Sequence, residues 1–249
     1  MELKLPRRQV LLSMLAVSAS GLALAACGEE QAQAPAQTPA AGQAAAQPAT
    51  PAAPETPAAP AVQAPEPAGT VDMAKLLEEG SLPEKVLGNA DAPVTIVEYA
   101  SMTCPHCATF HERTLPQIKE KYIDTGKARL IMREFPFDPR AEAGFMLARC
   151  ADNNYFAMVD VLFRQQRNWA AVDNAREALL QIARLGGFSQ ESFEACLTDQ
   201  ALLDNLRAVR TRGANDFGVD STPTFFINGN TYKGALSVDE MSAIIDSML

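Results

Sequence analysis

Two cysteines separated by two residues are the part of this sequence best suited to chemistry. Cys104 and Cys107 flank Pro105 and His106, directly after a β-branched run and before a helical pattern. This spacing lets the two sulfurs join in a small ring, so the pair can alternate between dithiol and disulfide. The motif therefore predicts thiol–disulfide exchange, which needs no cofactor and no metal.

The position of Cys104 predicts a thiol that ionises readily. A helix begins at the motif, and the unpaired N–H groups and dipole at a helix N-terminus stabilise a thiolate. We expect the pKa of Cys104 to fall from about 8.5 into the range of activated thiols, about 3.5–7.5. His106 is expected to add a donor or a positive charge to this sulfur, while Pro105 lies where a helix tolerates proline. Because only the reduced form holds a thiolate, each pKa unit makes the disulfide more oxidising by about 30 mV.

The elements around the motif predict an α/β domain. Val94–Ala100 is a β-branched run typical of a buried strand, and a helical stretch follows the motif to about Tyr122, with Pro116 as a candidate kink position. Residues 127–137 are predicted to form a second strand. Strand, helix and strand make a βαβ unit, which implies parallel pairing and a right-handed crossover.

The rest of the domain is predicted to contain a block of helices, followed by two strands and a final helix. Residues from about 139 to 217 show only helical periodicity. A strand then leads into Asn228-Gly229, a type I′ hairpin signal, and residues 231–233 form the returning strand. The final helix opens with a capping box, Ser237 to Glu240.

Two motifs together make the sequence similar to the DsbA-like branch of the thioredoxin superfamily. The cysteine motif is followed, near the C-terminus, by the segment 221–229, Ser-Thr-Pro-Thr-Phe-Phe-Ile-Asn-Gly, and the resemblance covers residues 86–249. It implies a thioredoxin fold interrupted by an inserted all-helical domain. It also implies that Pro223 is a cis-proline whose loop, with Thr222 beside it, faces the cysteines and binds extended client backbone.

The same resemblance gives a role to one carboxylate and names the partners. Glu98 matches a family position where a buried carboxylate assists proton transfer, although a strand-end glutamate could also face water. The implied clients are unfolded or folding exported proteins with free cysteines. The implied reoxidant is a quinone-linked membrane oxidase of the DsbB type.

The remaining cysteines and histidine leave more than one interpretation open. Because some relatives carry a second disulfide in the helical insertion, the resemblance favours a Cys150–Cys196 bridge, with two buried free thiols as the alternative. A zinc site at the Cys104 motif is disfavoured, since structural zinc needs four closely spaced ligands. His111 is expected to be a surface or packing residue.

The N-terminus predicts export and lipid attachment. Residues 1–26 combine basic residues, an apolar run and small residues, the pattern of a signal peptide, and the segment ending at Cys27 matches a bacterial lipobox. An ordinary cleaved signal, an uncleaved anchor and a twin-arginine signal remain alternatives. Residues 28–70, rich in Ala, Pro and Gln, are expected to form a disordered linker, and residues 71–249 the folded domain.

The net charge of the chain argues against one class of function. The 30 acidic and 21 basic side chains give a formal charge of −9, which disfavours a nucleic-acid binder.

The leading hypothesis is a periplasmic thiol:disulfide oxidoreductase, tethered through Cys27 to the inner or outer membrane, that donates the Cys104–Cys107 disulfide. A disulfide isomerase or reductase is the alternative within enzymes. A lipoprotein chaperone with incidental redox activity is the alternative from another class.

Overall fold

The computed structural model describes residues 62–249, and these contain one mixed sheet flanked by helices. The predicted signal peptide, the predicted lipidation site Cys27 and most of the predicted linker lie outside the described residues. The strand order across the sheet is β1-β6-β5-β3-β4-β2. The strands are β1 (Gly69–Thr70), β2 (Lys85–Leu87), β3 (Val94–Ala100), β4 (Ala128–Glu134), β5 (Thr224–Ile227) and β6 (Asn230–Lys233).

The predicted βαβ unit forms the centre of the sheet. β3 lies between β4 and β5, pairs parallel with β4, and has all seven of its residues buried. The motif helix, residues 105–123, connects the two strands. It consists of α2 (Pro105–Thr109), a π-helical turn (Phe110–Thr114), α3 (Leu115–Ile118) and a second π-helical turn (Lys119–Ile123). The helix passes through Pro116 without a break, and π turns precede and follow the short α segment that contains this proline.

A block of helices separates β4 from β5. Its members are α4 (Pro139–Cys150), a 3-10 turn (Asp152–Asn154), α5 (Tyr155–Arg164), α6 (Gln166–Trp169), α7 (Ala175–Leu185), α8 (Gln190–Leu197) and α9 (Gln200–Phe217). The core of this block is continuous with the end of the sheet and includes Cys107 from the motif. Among the helices described, none is long and apolar enough to cross a membrane.

The C-terminal strands and helix follow the predicted pattern. Asn228 and Gly229 both have positive φ, 44° and 91°, as a type I′ hairpin requires, and the hairpin joins β5 to β6. The capping box is confirmed, because Ser237 and Glu240 bond reciprocally at the start of α10 (Val238–Asp246). This helix packs with the motif helix on one face of the sheet.

The N-terminal boundary of the folded domain differs from the prediction. The predicted linker extends to residue 70, whereas Gly69–Thr70 forms β1 on the edge of the sheet, paired with β6. Ala68 N–H donates to the Thr231 carbonyl at 2.8 Å. Such pairing uses backbone groups alone, so an Ala- and Pro-rich composition gives no signal of it. A short helix, α1 (Met73–Leu76), and β2 were also missed.

Candidate active site

Cys104 occupies the N-cap position of α2, at the end of β3. It is partly exposed, and its thiol donates to the Thr222 carbonyl oxygen at 3.3 Å. The pKa of Cys104 is lowered to about 5, chiefly because the Cys107 thiol donates to it, with the Thr222 side chain and the backbone N–H groups of Cys107 and His106 adding to the effect. Partial burial opposes these donors without reversing them. Cys104 is therefore the more accessible sulfur of the pair and the one that ionises more readily.

Cys107 has the opposite environment. Its side chain is fully buried, in the core that the helical block shares with the sheet. Burial raises the pKa of Cys107 well above that of a free thiol, and the hydrogen bond to Cys104 and the charge of Glu98 raise it further. The two sulfurs of one motif thus differ in both access and ionisation.

Thr222 and Pro223 lie across from Cys104, as the resemblance implies. The peptide bond between them is cis. The Thr222 Oγ1 atom is buried and has no hydrogen-bond partner among the described residues. While the Cys104 thiol donates to the carbonyl of Thr222, this hydroxyl remains available to donate to the sulfur once the sulfur ionises.

His106 contributes differently from the sequence-based expectation. Its side chain and that of Pro105 are exposed. The donor that His106 supplies to the Cys104 sulfur is its backbone N–H, which points along the helix N-terminus. Helix geometry explains the difference, because the side chains of the first turn project outward while the N–H groups converge on the cap.

Glu98 is a buried residue, and the water-facing alternative is wrong. The two-residue alternation of β3 places it on the same face as Val94 and Ile96, towards the motif helix. Its side chain is fully buried, and both carboxylate oxygens lie within hydrogen-bond distance of His111 Nε2, at 3.1 and 3.0 Å. His111 is 4 % exposed, so of the two positions expected for it, surface or packing, it has the packing one.

Sequence reasoning missed a contact from the helical block. Gln166, at the start of α6, is buried, and its Nε2 donates to the carbonyl oxygens of Met102 and Cys104, both at 2.9 Å. A single glutamine in a helical stretch gives no sequence signal for this contact, because only the fold brings it to the loop before the motif.

The second cysteine pair lies away from the motif. Cys150, at the end of α4, and Cys196, near the end of α8, are joined by a disulfide, with their Cα atoms 6.2 Å apart. Cys104 and Cys107 are free thiols. Within residues 62–249, no group of three or more Cys, His, Asp or Glu side chains is arranged to hold a metal ion.

Comparisons with known proteins agree with this geometry. A family model described as thioredoxin matches residues 81–247. A putative protein-disulfide oxidoreductase from Rickettsia bellii is 36% identical over 171 residues, which are 67% of this chain and 64% of that protein. The chain thus matches slightly less than two thirds of this relative's length. A probable disulfide bond formation protein D from Bacillus anthracis is 30% identical over 154 residues, 59% of this chain and 70% of that protein.

Solved structures with the same arrangement include close and distant examples. The crystal structure of Wolbachia pipientis alpha-DsbA1 is 34% identical, covers 70% of this chain and 94% of its own, and superposes with a TM-score of 0.65. Oxidised BdbD from Bacillus subtilis is 20% identical, with a TM-score of 0.59, coverage of 66% and 92%, and therefore a likeness of fold alone. These similarities confirm the thioredoxin fold with an inserted helical domain.

Proposed function

The chain belongs to the DsbA-like branch of the thioredoxin family, and from this premise we propose that it is a thiol:disulfide oxidoreductase that donates its Cys104–Cys107 disulfide to exported proteins. The names of its relatives support exchange chemistry at the motif. The direction of that exchange, the clients and the cellular location are the parts that the proposal adds.

The observation that carries the proposal is the difference between the two thiols. A Cys104 pKa of about 5 means that the reduced enzyme holds a stabilised thiolate at neutral pH, whereas the disulfide has no such charge. Stabilising only the reduced form raises the reduction potential, by about 30 mV for each pKa unit. The environment of Cys104 therefore favours giving the disulfide away.

The reaction follows from which sulfur a client can reach. A client thiolate attacks the exposed Cys104 sulfur, the bond to Cys107 breaks, and a mixed disulfide forms. A second client thiolate then attacks the client sulfur of that bond and releases Cys104 as a thiolate. The Thr222–Pro223 segment, whose carbonyl lies 3.3 Å from the Cys104 sulfur, is placed to bind client backbone, so selectivity for client sequence should be low.

The N-terminal sequence supports a location outside the cytoplasm. Cleavage before Cys27 and lipid attachment there would tether the domain to the inner or outer membrane, facing the periplasm. The Ala- and Pro-rich linker would then separate lipid from domain. A quinone-linked membrane oxidase of the DsbB type would reoxidise Cys104 and Cys107.

The experiment is oxidation of a reduced client with two cysteines by the disulfide form of the protein, followed by counting the client's free thiols. Client thiols should disappear in step with the appearance of reduced enzyme. Cys104→Ser and Cys107→Ser should each abolish the reaction, because neither variant can form the motif disulfide. If Cys104→Ser fully restores the function of a deletion strain, the protein acts by binding and not by exchange.

A further inference from the structure

A cleft on the helical block combines an apolar floor with a basic rim. It has a volume of about 440 Å³ and is formed by α4, α7, α8 and α9. Met146 and Leu179 are buried beneath it, and Ala143, Leu197 and Leu203 are half-buried along it. A concave apolar surface of this kind is suited to the aliphatic side chains of a ligand.

Arg140, on α4, is a half-buried cation at the rim of this cleft. Its Nη1 atom donates to the Ala170 carbonyl oxygen at 2.7 Å. The ion pairs within residues 62–249 do not include Arg140. A guanidinium carries five N–H donors, and one carbonyl oxygen leaves most of them free for another acceptor. Arg140 is therefore available to bind an anionic group in the cleft.

Two exposed arginines extend the basic rim along α9 and α7. Arg207 bonds to Glu142 at 2.7 and 3.0 Å, and Arg176 lies 3.6 Å from Glu194. Among the described residues that line the cleft, three are arginines, and Glu142 is the single acidic side chain. In a chain with a formal charge of −9, this local excess of positive charge favours an acidic partner here.

The cleft begins beside the cysteine motif. Thr103, the residue before Cys104, donates from its hydroxyl to Asp138 Oδ2 at 2.6 Å. Asp138 caps α4, and the next residue, Pro139, lines the cleft. Because β3 lies between β4 and β5, the segment after β4 and the Thr222–Pro223 segment before β5 flank the motif on opposite sides. A client chain that pairs with Thr222–Pro223 and reaches Cys104 can therefore continue into the cleft.

We propose that the cleft binds an acidic and apolar segment next to a client cysteine, so that clients with this flanking sequence are the preferred substrates. This inference rests on the proposed function, because it names the substrates of that same exchange site. Backbone pairing at the Thr222–Pro223 segment does not distinguish side chains, so the cleft adds a sequence preference that the pairing does not give. Aliphatic side chains of the client lie on the floor, and its carboxylates lie near Arg140, Arg176 and Arg207.

The test uses three synthetic peptides, each with two cysteines joined by a short Gly-Ser spacer and flanked on both sides by about six residues, about 20 Å when extended. The flanks alternate Leu with Glu, Leu with Lys, or Ser with Glu. The disulfide form of the full chain reacts with each peptide, and acid quenching with thiol counting gives the rate. Because flanking charges alter the reactivity of a thiol, each rate is divided by the rate of the same peptide with hydroxyethyl disulfide, which is small and uncharged.

Two double variants separate the effect of the cleft from the effect of net charge. Arg176→Gln/Arg207→Gln removes two charges from the rim. Arg164→Gln/Arg184→Gln removes two arginines of the same helical block that do not line the cleft, and it is the matched control. All four arginines are exposed, so both variants should fold as the wild type does.

We expect the wild-type protein to react about tenfold faster with the Leu/Glu peptide than with either of the other two, because Lys meets like charge at the rim and Ser leaves the apolar floor uncovered. Arg176→Gln/Arg207→Gln should slow the reaction with the Leu/Glu peptide about fivefold, since two exposed ion pairs are lost. The control variant should retain the wild-type rate. Added salt should reduce the advantage over the Leu/Lys peptide and preserve the advantage over the Ser/Glu peptide.

Equal normalised rates for the three peptides would overturn the role of the cleft and leave the proposed function intact. An equal loss in the control variant would also overturn it, because net charge would then explain the preference. Sedimentation and vesicle flotation of the full chain test the other occupants. If dimerisation or binding to anionic lipid vesicles is lost in Arg176→Gln/Arg207→Gln alone, the cleft binds a second copy or a lipid surface instead of a client. If no peptide reduces the wild-type disulfide, the proposed function itself is wrong.

Discussion

Cys104 and Cys107 occupy the same four-residue motif, but their surroundings shift their pKa values in opposite directions. Donor groups of Cys107, Thr222 and the helix N-terminus lower the pKa of Cys104, whereas burial in the apolar core and the charge of Glu98 raise the pKa of Cys107. A thiolate is stabilised by donors and destabilised by burial or like charge. The same physical rules therefore make one sulfur the point of attack and the other the leaving group.

The Thr222 hydroxyl gives a test of this balance at the scale of one residue. Thr222→Val keeps the shape of the side chain and removes the donor that stabilises the Cys104 thiolate. A hydrogen bond to a charged group is worth about 1.5–3 kcal/mol, so we expect the pKa of Cys104 to rise by about one unit. The measurement is the thiolate absorbance as a function of pH. Thr222→Ser is the control and should stay close to wild type, and an unchanged pKa in Thr222→Val would contradict the role of the hydroxyl.

At the scale of elements, local sequence patterns predicted the central parts of the fold. They did not predict contacts between residues that are far apart in the sequence. β3 and the motif helix have strong periodicity, and the Asn228-Gly229 hairpin has a dedicated turn signal. β1 and β2 are two and three residues long and pair through backbone groups at the sheet edges, so side-chain patterns do not mark them. The motif alone predicted Cys104 and Cys107 as site residues, whereas the contact between His111 and Glu98 is visible only in the folded structure.

The hydrogen bonds from Gln166 on α6 predict that the helical block stabilises the loop before the motif. Gln166→Leu removes two hydrogen bonds and leaves the carbonyl oxygens of Met102 and Cys104 with fewer donors in a buried region. We expect a loss of about 1–3 kcal/mol in the free energy of unfolding of the reduced protein. Urea titration measures it, with Gln181→Leu, on the exposed face of α7, as the control. Equal stabilities of the two variants would contradict the prediction.

The disulfide between α4 and α8 predicts a structural role separate from exchange. Replacing both Cys150 and Cys196 by Ala removes a link across 46 residues, which should lower the free energy of unfolding by about 2–4 kcal/mol. Turnover at Cys104 should be retained at temperatures where the variant is folded. Calorimetry and the client assay measure the two quantities. Alkylation of Cys150 and Cys196 in the wild-type protein, denatured without reductant, would rule out the bridge.

For the whole molecule, the redox site is linked to the stability of the fold. In the dithiol form, folding lowers the pKa of Cys104 from about 8.5 to about 5, so the folded state binds fewer protons between these values. A lowered pKa stabilises the folded state above the unfolded pKa, and this contribution is lost as the pH falls through the folded pKa. The disulfide form has no titrating thiol at the motif and lacks this contribution.

The stability difference between the reduced and oxidised proteins should therefore depend on pH. Unfolding of both forms in denaturant, measured from about pH 5 to about pH 8, should show the reduced form gaining stability relative to the oxidised form as the pH rises. The gain at pH 7 should be on the order of 2 kcal/mol or less, because water screens a partly exposed sulfur. The Cys104→Ser variant, which cannot form the motif disulfide, should lack this gain, and its stability should follow the pH dependence of the oxidised form. A constant difference in the wild-type protein would contradict the linkage.

The central claim is that the Cys104 thiolate is stabilised in the folded, reduced protein, and its pKa tests that claim most directly. The measurement is the thiolate absorbance of the reduced protein as a function of pH, with Cys104→Ser subtracted as the background. The account predicts a transition at a pH of about 5, assigned to Cys104. A single transition near pH 8.5, the value of an ordinary thiol, would contradict it and remove the basis for disulfide donation.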